Sequence, residues 1–130
     1  MPDAAQVARL LAAAERNILD AQLDGLSAEN RFDAAYKAIM QLAMLALYVK
    51  GYRTLTSKPG HHQTAIQTLP LTVGTPARQV IVLDALRKQR NLSDYSDDLV
   101  PDSVVVDCLA SAKDLFAQVH AWLALAKPDG

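Results

Sequence analysis

Residues 101–128, PDSVVVDCLASAKDLFAQVHAWLALAKP, carry the longest regular pattern in this 130-residue chain. Val105, Cys108, Leu109, Ala112, Leu115, Phe116, Val119, Trp122 and Leu123 recur at spacings of three and four, so they share one stripe along an α-helix. Pro101 or Asp102 opens that helix, and Lys127 and Pro128 close it. A stripe this long must be covered by other elements. Cys108 falls inside it and reads as a small buried hydrophobe. His120 lies beside it and reads as a core-edge residue, while Phe116 and Trp122 read as core.

Working outward, the remaining segments also carry the helical period. Asp3 is placed to cap a first helix, with Gln6 positioned to reach back in a capping box. Val7, Leu10, Leu11, Ala14, Ile18 and Ala21 form its stripe, and Gly25 ends it. Ser27 caps a second helix with Glu29 in its first turn, where the macrodipole favours a carboxylate. Phe32, Ala35, Tyr36, Ile39, Met40, Ala43 and Leu47 make its stripe, while Leu42, Leu45 and Val49 fall partly outside it. So wide an apolar surface implies more than one neighbour, inside a bundle or across a dimer interface. Gly51 suits the position just past its end. Pro59-Gly60, Pro70, Gly74 and Pro76 then fragment the chain, leaving one short helix over about His62 to Leu69. Thr75 as cap and Pro76 at the first helical position open a helix carrying Val80, Leu83, Ala85 and Leu86, which runs to about Tyr95. The expected fold is all-α, an up-and-down four-helix bundle with one additional short helix, forming a single domain over residues 1–130.

Composition supports this and excludes several classes. Alanine (22) and leucine (19) supply 41 residues, and aromatics only 5%, which favours helix over strand. One cysteine leaves no internal disulfide framework and fits a reducing compartment, so a cytoplasmic location is expected. The first residues, MPDAAQVARLLAAAERN, lack the basic start of a secretory signal, and no uncharged apolar run of about 18 residues is present. A net charge of −1 excludes a globally basic nucleic-acid binder but not a local basic patch.

Charge is uneven. Between Lys50 and Arg90 lie seven basic residues, Arg53, Lys58, Arg78, Arg87 and Lys88 among them, against the single acid Asp84. Five aspartates and no base follow between Asn91 and Asp107. In LRKQRNLSDYSD (86–97), Arg87, Arg90, Asn91 and Asp94 fall on one helical face. A guanidinium and an amide there suit phosphate oxygens and a base edge or ribose hydroxyl; the plain alternative is an Arg90–Asp94 pair along the helix. His61 and His62 follow Pro59-Gly60 at a helix start beside Lys58 and Arg53, a setting that suits an anion. Adjacent histidines with no Cys or carboxylate at ligand spacing make no metal site, and no metal or cofactor is expected.

Three stretches in order resemble the HEPN family, the small helical bundles named for nucleotide binding in higher eukaryotes and prokaryotes. They are ENRFDAAYKAIMQLAMLALYVKGYR (29–53), SKPGHHQTAIQTL (57–69) and LRKQRNLSDYSD (86–97). In members that cut RNA, the resemblance implies an Arg, four to six residues, then a His, paired across a homodimer cleft and acting without metal. Arg90 matches the Arg and Asn91 the polar residue that often follows it. The His is not matched: positions 95–97 are Tyr95, Ser96 and Asp97, and no histidine follows until His120. A phenol near pKa 10 is a poor base at neutral pH, where imidazole exchanges protons readily. Tyr95 also resembles the tyrosine that a partner nucleotidyltransferase modifies in some toxin–antitoxin relatives.

The reading that follows is a homodimer binding RNA or a nucleotide at a basic cleft. Its residues are Arg87, Arg90, Asn91, Asp94, Tyr95, Arg53 and Lys58, with catalysis weak or absent. Two alternatives stay open. One is a non-catalytic helical interaction protein paired with a nucleotidyltransferase. The other is a metal-independent endoribonuclease in which His61 or His62, with Arg90 and Tyr95, supplies the chemistry.

Overall fold

The computed structural model describes residues 2–52, 60–95 and 100–126. Arg53, Lys58, Ser96, Asp97, Lys127, Pro128 and the side chains of Asp94 and Tyr95 lie outside that description. The described residues form helices and no strand: α1 (Ala4–Asp20), α2 (Ala28–Val49), α3 (His61–Gln67), α4 (Leu69–Thr72), α5 (Ala77–Tyr95) and α6 (Asp102–Ala126).

The ends of these helices follow from local chemistry. The Asp3 carboxylate accepts from the Ala5 N–H at 3.0 Å, and the Ser27 hydroxyl accepts from the Asn30 N–H at 3.1 Å. Gln6 does not close the expected capping box. Its Oε1 accepts from the Arg9 guanidinium at 3.1 and 2.6 Å, because a charged donor one turn along outcompetes a neutral backbone N–H. The Asp3 N–H instead donates to the Tyr48 hydroxyl at 3.2 Å, tying the start of α1 to the end of α2. At that end Gly51 takes φ +84°, with Gly51 N–H donating to the Tyr48 carbonyl and Tyr52 N–H to that of Leu47. This is a Schellman closure, and a left-handed residue there favours glycine.

The expected short helix starts one residue earlier, at His61, and ends at Gln67. A four-residue turn, α4, follows it, with Pro70 in the first turn, where no backbone donor is needed. Thr75 does not cap α5. Its hydroxyl donates to Gln118 Oε1 at 3.2 Å on α6, because a buried hydroxyl needs a partner and the half-buried Gln118 supplies one. Gln118 in turn donates to Gln79, so the α5 start is pinned to α6 by side chains.

Contacts along the helices set their directions. Asp3 meets Tyr48 and Asn17 meets Gln41, so α1 and α2 run antiparallel. Arg31 meets Asp102, the Cys108 thiol approaches the Phe32 carbonyl, and Lys50 lies over Trp122, so α2 and α6 run parallel. Gln79 meets Gln118 near the start of α5 and late in α6, so these two run antiparallel.

Among these helices α2 is the hub. It packs most extensively on α1 and α6 and also touches α3, α4 and α5. Phe32, Ala35, Ala38, Ile39, Leu42, Leu45 and Ala46 are buried on its broad inner face, while Asn30, Asp33 and Lys37 are exposed on the other side. The broad apolar surface read from the sequence is therefore consumed inside the chain. By length and composition α2 is also apolar enough to cross a membrane, but most of its apolar window is buried against the other helices. In α6, Val105, Cys108, Ala112, Leu115 and Val119 are buried as expected, whereas His120 is exposed with its ring on Phe116 at 6.0 Å. On α5, Leu83 and Leu86 turn inward. Ala85, expected in the same stripe, is exposed together with Ile81 and Val82, because it lies about 200° round the helix from Leu83, on the side α5 turns to solvent.

Leu42→Ala at the hub is expected to destabilise the chain by about 2–5 kcal/mol in denaturant unfolding. Leu125→Ala, at a position 86% exposed, is expected to stay within about 0.5 kcal/mol of the parent.

Candidate functional site

The side of α2 that α1 and α6 leave uncovered opens a cavity of about 620 Å3. Its apolar lining is Leu10 from α1 and Met40, Met44, Leu45 and Leu47 from α2, with Tyr48 and Tyr52 towards the end of α2. Its polar lining is Asp33, Tyr36, Lys37, Gln41, His61, His62 and Arg90. Asp33 and Tyr48 are fifteen residues apart on one helix, so the two ends are separated by about 22 Å.

The polar end is a connected cluster drawn from three helices. Arg90 of α5 places its Nε 3.1 Å from the Asp33 carboxylate of α2. The same guanidinium carbon lies 5.9 Å from the centre of the Tyr36 ring, within reach of a cation–π contact. The Tyr36 hydroxyl and His62 Nδ1 share a hydrogen bond of 3.0 Å. His61 sets its ring edge-on to His62 with centroids 4.3 Å apart. Gly60, at φ +84° immediately before α3, turns the chain so that both histidines begin that helix at the cavity. Phe32 backs Tyr36 with its ring nearly parallel, centroids 6.4 Å apart.

Burial and neighbouring cations fix the protonation states. The His62 pKa falls below its ordinary 6.5, chiefly because burial penalises the imidazolium, with His61, Arg90 and Arg87 adding repulsion. His62 is therefore neutral at pH 7, with one ring nitrogen able to accept a proton. Burial pushes the Tyr36 phenol up to about 12, against the opposing pull of Arg87 and Arg90, so it stays protonated. Cys108 likewise rises to about 12 through burial and is a protonated thiol rather than a nucleophile.

The cluster gathers Arg90, His61 and His62 from the residues picked out in the sequence. It does not gather all of them. Arg87 turns to Asp84, Nε to carboxylate 2.8 Å, and holds that carboxyl below its usual range. Lys88 lies 3.5 Å from the same carboxylate. Asn91 is exposed and does not line the cavity. Arg90 reaches across to Asp33 on α2, and the alternative Arg90–Asp94 pair lies outside the described residues. Asp33, Tyr36, Lys37, Tyr48 and Tyr52 were not picked out from the sequence. Tyr36 is counted there as core, and only its hydroxyl in an otherwise apolar stripe could have marked it. Among the described residues no three His, Cys, Asp or Glu side chains converge as metal ligands.

Comparison with family models, with characterised proteins and with solved structures finds no match for this chain. The functional reading therefore rests on the cluster itself.

His62 should titrate below 6.5 when its ring signals are followed by NMR against pH. Arg90→Gln should raise that midpoint by removing one repelling cation, while leaving it below 6.5 because burial, the larger cause, persists. The depressed midpoint stabilises the fold above pH 6.5, and this stabilisation is lost as pH falls through the lowered value. His62→Phe should accordingly flatten part of the decline in stability on the acid side.

Proposed function

We propose that this chain is a HEPN-like bundle with helices running up and down. It acts as a cytoplasmic homodimer that binds RNA or a nucleotide in the cavity beside Arg90. The observation carrying this reading is the convergence of Arg90, Tyr36 and His62 on one cavity that also holds Lys37 and two further tyrosines. A guanidinium and an ammonium supply phosphate contacts, the neutral imidazole a hydrogen bond, and the methionine and tyrosine lining a surface for a planar base. The antiparallel α1–α2 and α5–α6 pairs are compatible with the up-and-down arrangement, although α2 and α6 lie side by side rather than across a diagonal.

A second reading is favoured by the position of His62. A neutral imidazole in the same cavity as Arg90 can take the proton of a ribose 2′-hydroxyl while the guanidinium holds the adjacent phosphate. The 2′-oxygen then attacks phosphorus, the 5′-oxygen leaves carrying the proton that the imidazolium returns, and a 2′,3′-cyclic phosphate remains. On this reading the histidine of a metal-independent endoribonuclease comes from the start of α3 rather than the end of α5.

Fluorescence anisotropy with a labelled single-stranded RNA at fixed salt tests the first reading. Arg90→Ala should weaken binding about 10- to 100-fold, the loss of a charge-assisted contact of about 1.5–3 kcal/mol. It should also make the logarithmic salt slope shallower by about 0.7. Wild-type affinity in that variant at matched salt overturns the reading. Incubating the same RNA without metal tests the second: cleavage that His62→Ala abolishes while binding persists establishes it, and intact RNA rejects it.

A further inference from the structure

The outer face of α5 carries an apolar stripe beside an open groove. Ile81 is 70% exposed and Val82 46%, and Ala85 stands one turn further along. These residues form one wall of a channel between α5 and α6, whose other wall holds Val104, Asp107 and Asp114 over a small-residue floor that includes Ala110 and Ser111. Val82 and Asp114 also border a second hollow that includes Arg78, so the channel runs on past the start of α5. A contiguous apolar stripe beside a groove of this kind marks an interaction surface rather than a solvated face.

The charges select the occupant. The α6 wall is acidic, with Asp107 and Asp114, while the α5 stripe is flanked by Arg78 and Lys88, both exposed. The surface thus carries both halves of a complementary pair: an apolar ridge with basic flanks and an apolar groove with an acidic wall. A two-fold axis through the middle of α5 brings such a surface onto itself. About an axis near Ala85, the second copy's α5 lies antiparallel to the first. Position 88 of one copy is then level with position 82 of the other. Val82 faces Asp114 across the groove, so each Lys88 arrives at the other copy's Asp114.

We infer that the α5–α6 groove is the homodimer interface, filled by the Ile81–Val82–Ala85 ridge of a second copy and fixed in register by reciprocal Lys88–Asp114 pairs. This inference rests on the homodimer of the reading above and not on its ligand. Lys88 also lies near Asp84 of its own helix, so a single substitution there alters two interactions. The reciprocal swap separates them, because repulsion from Asp84 persists in the double variant.

Sedimentation velocity on the full chain reads the assembly directly. The expected species has twice the 14.1 kDa chain mass and dissociates on dilution. Ile81→Asp should weaken the dimer about a hundredfold while leaving the helical circular dichroism unchanged, since Ile81 faces solvent in the single chain. Lys88→Glu and Asp114→Lys should each shift the equilibrium to monomer, and the double variant should recover the dimer. A monomer at every concentration overturns the inference. So does a dimer indifferent to Ile81→Asp, or a double variant no tighter than either single one. RNA anisotropy on the same samples separates the claims: a dimer that responds as expected but binds no RNA supports the interface and removes only the ligand reading.

Discussion

A helix whose buried surface is wider than one stripe cannot be covered by a single neighbour, and α2 is such a helix. Ala38 and Leu45 lie well round the helix from the Phe32–Ile39 stripe and are as buried as it is, so neighbours are required on several sides. The rest of the architecture answers that requirement. α1 covers one flank antiparallel, α6 covers another in parallel, and the short α3 and α4 with α5 close part of the remainder. Burying an apolar helix contributes roughly 1.5–3 kcal/mol for each large side chain removed from water. The chain therefore gains most of its stability by surrounding α2, and the less regular residues between α2 and α5 can serve other purposes.

One of those purposes is the cavity, and its chemistry follows from the same enclosure. Tyr36 belongs to the α2 stripe, so it is buried up to its hydroxyl, and that hydroxyl must find a partner. His62 supplies it. The pairing fixes the ring at the cavity edge, and partial burial keeps it neutral. Arg90 is held differently. Its ion pair with Asp33 joins side chains that are 31% and 56% exposed, and a pair in that setting contributes only about 0–1 kcal/mol. The Asp33 contact helps orient the guanidinium over Tyr36, and on the proposed reading a phosphate would compete with Asp33 for it.

The fold was legible where one helix decides its own structure, and illegible where two helices negotiate. The periodicity of α6, the Ser27 cap, the Gly51 closure and the breadth of α2 all depend on residues within a few positions of one another, and each appears as read. Thr75 departs for a reason no short window contains: Gln118 captures it from forty-three residues away. Gln6 and Ala85 depart for local reasons, since Arg9 captures Gln6 one turn along the same helix and Ala85 lies across the helix from Leu83. The site shows the same division. Arg90 and the His61–His62 pair were visible as residue types suited to a phosphate. Tyr36, which links them, was hidden because a buried tyrosine in an apolar stripe has the pattern of any core residue. The spacing of Arg87 and Arg90 on one face was also correct, yet it joined groups that the fold sends to different aspartates.

That separation changes what a run of basic residues means. Counted along the chain, Lys50 to Arg90 is strongly cationic, but Asp84 engages both Arg87 and Lys88, and Asp33 arrives from α2 to meet Arg90. The cavity therefore carries only a small net positive charge, Arg90 and Lys37 against Asp33, with His62 uncharged. On the proposed reading, where those few charges sit matters more than their number. Two unit charges about 4 Å apart attract by about 1 kcal/mol in bulk water and about 4 kcal/mol at the effective dielectric of a partly enclosed protein surface. On the proposed reading, a guanidinium at one end of a partly apolar cavity would act on a phosphate more strongly than the same group on an open basic helix. The apolar lining, which includes Leu10, Met40 and Met44, would contact the uncharged part of the ligand, so that reading requires a phosphate and a planar apolar surface together.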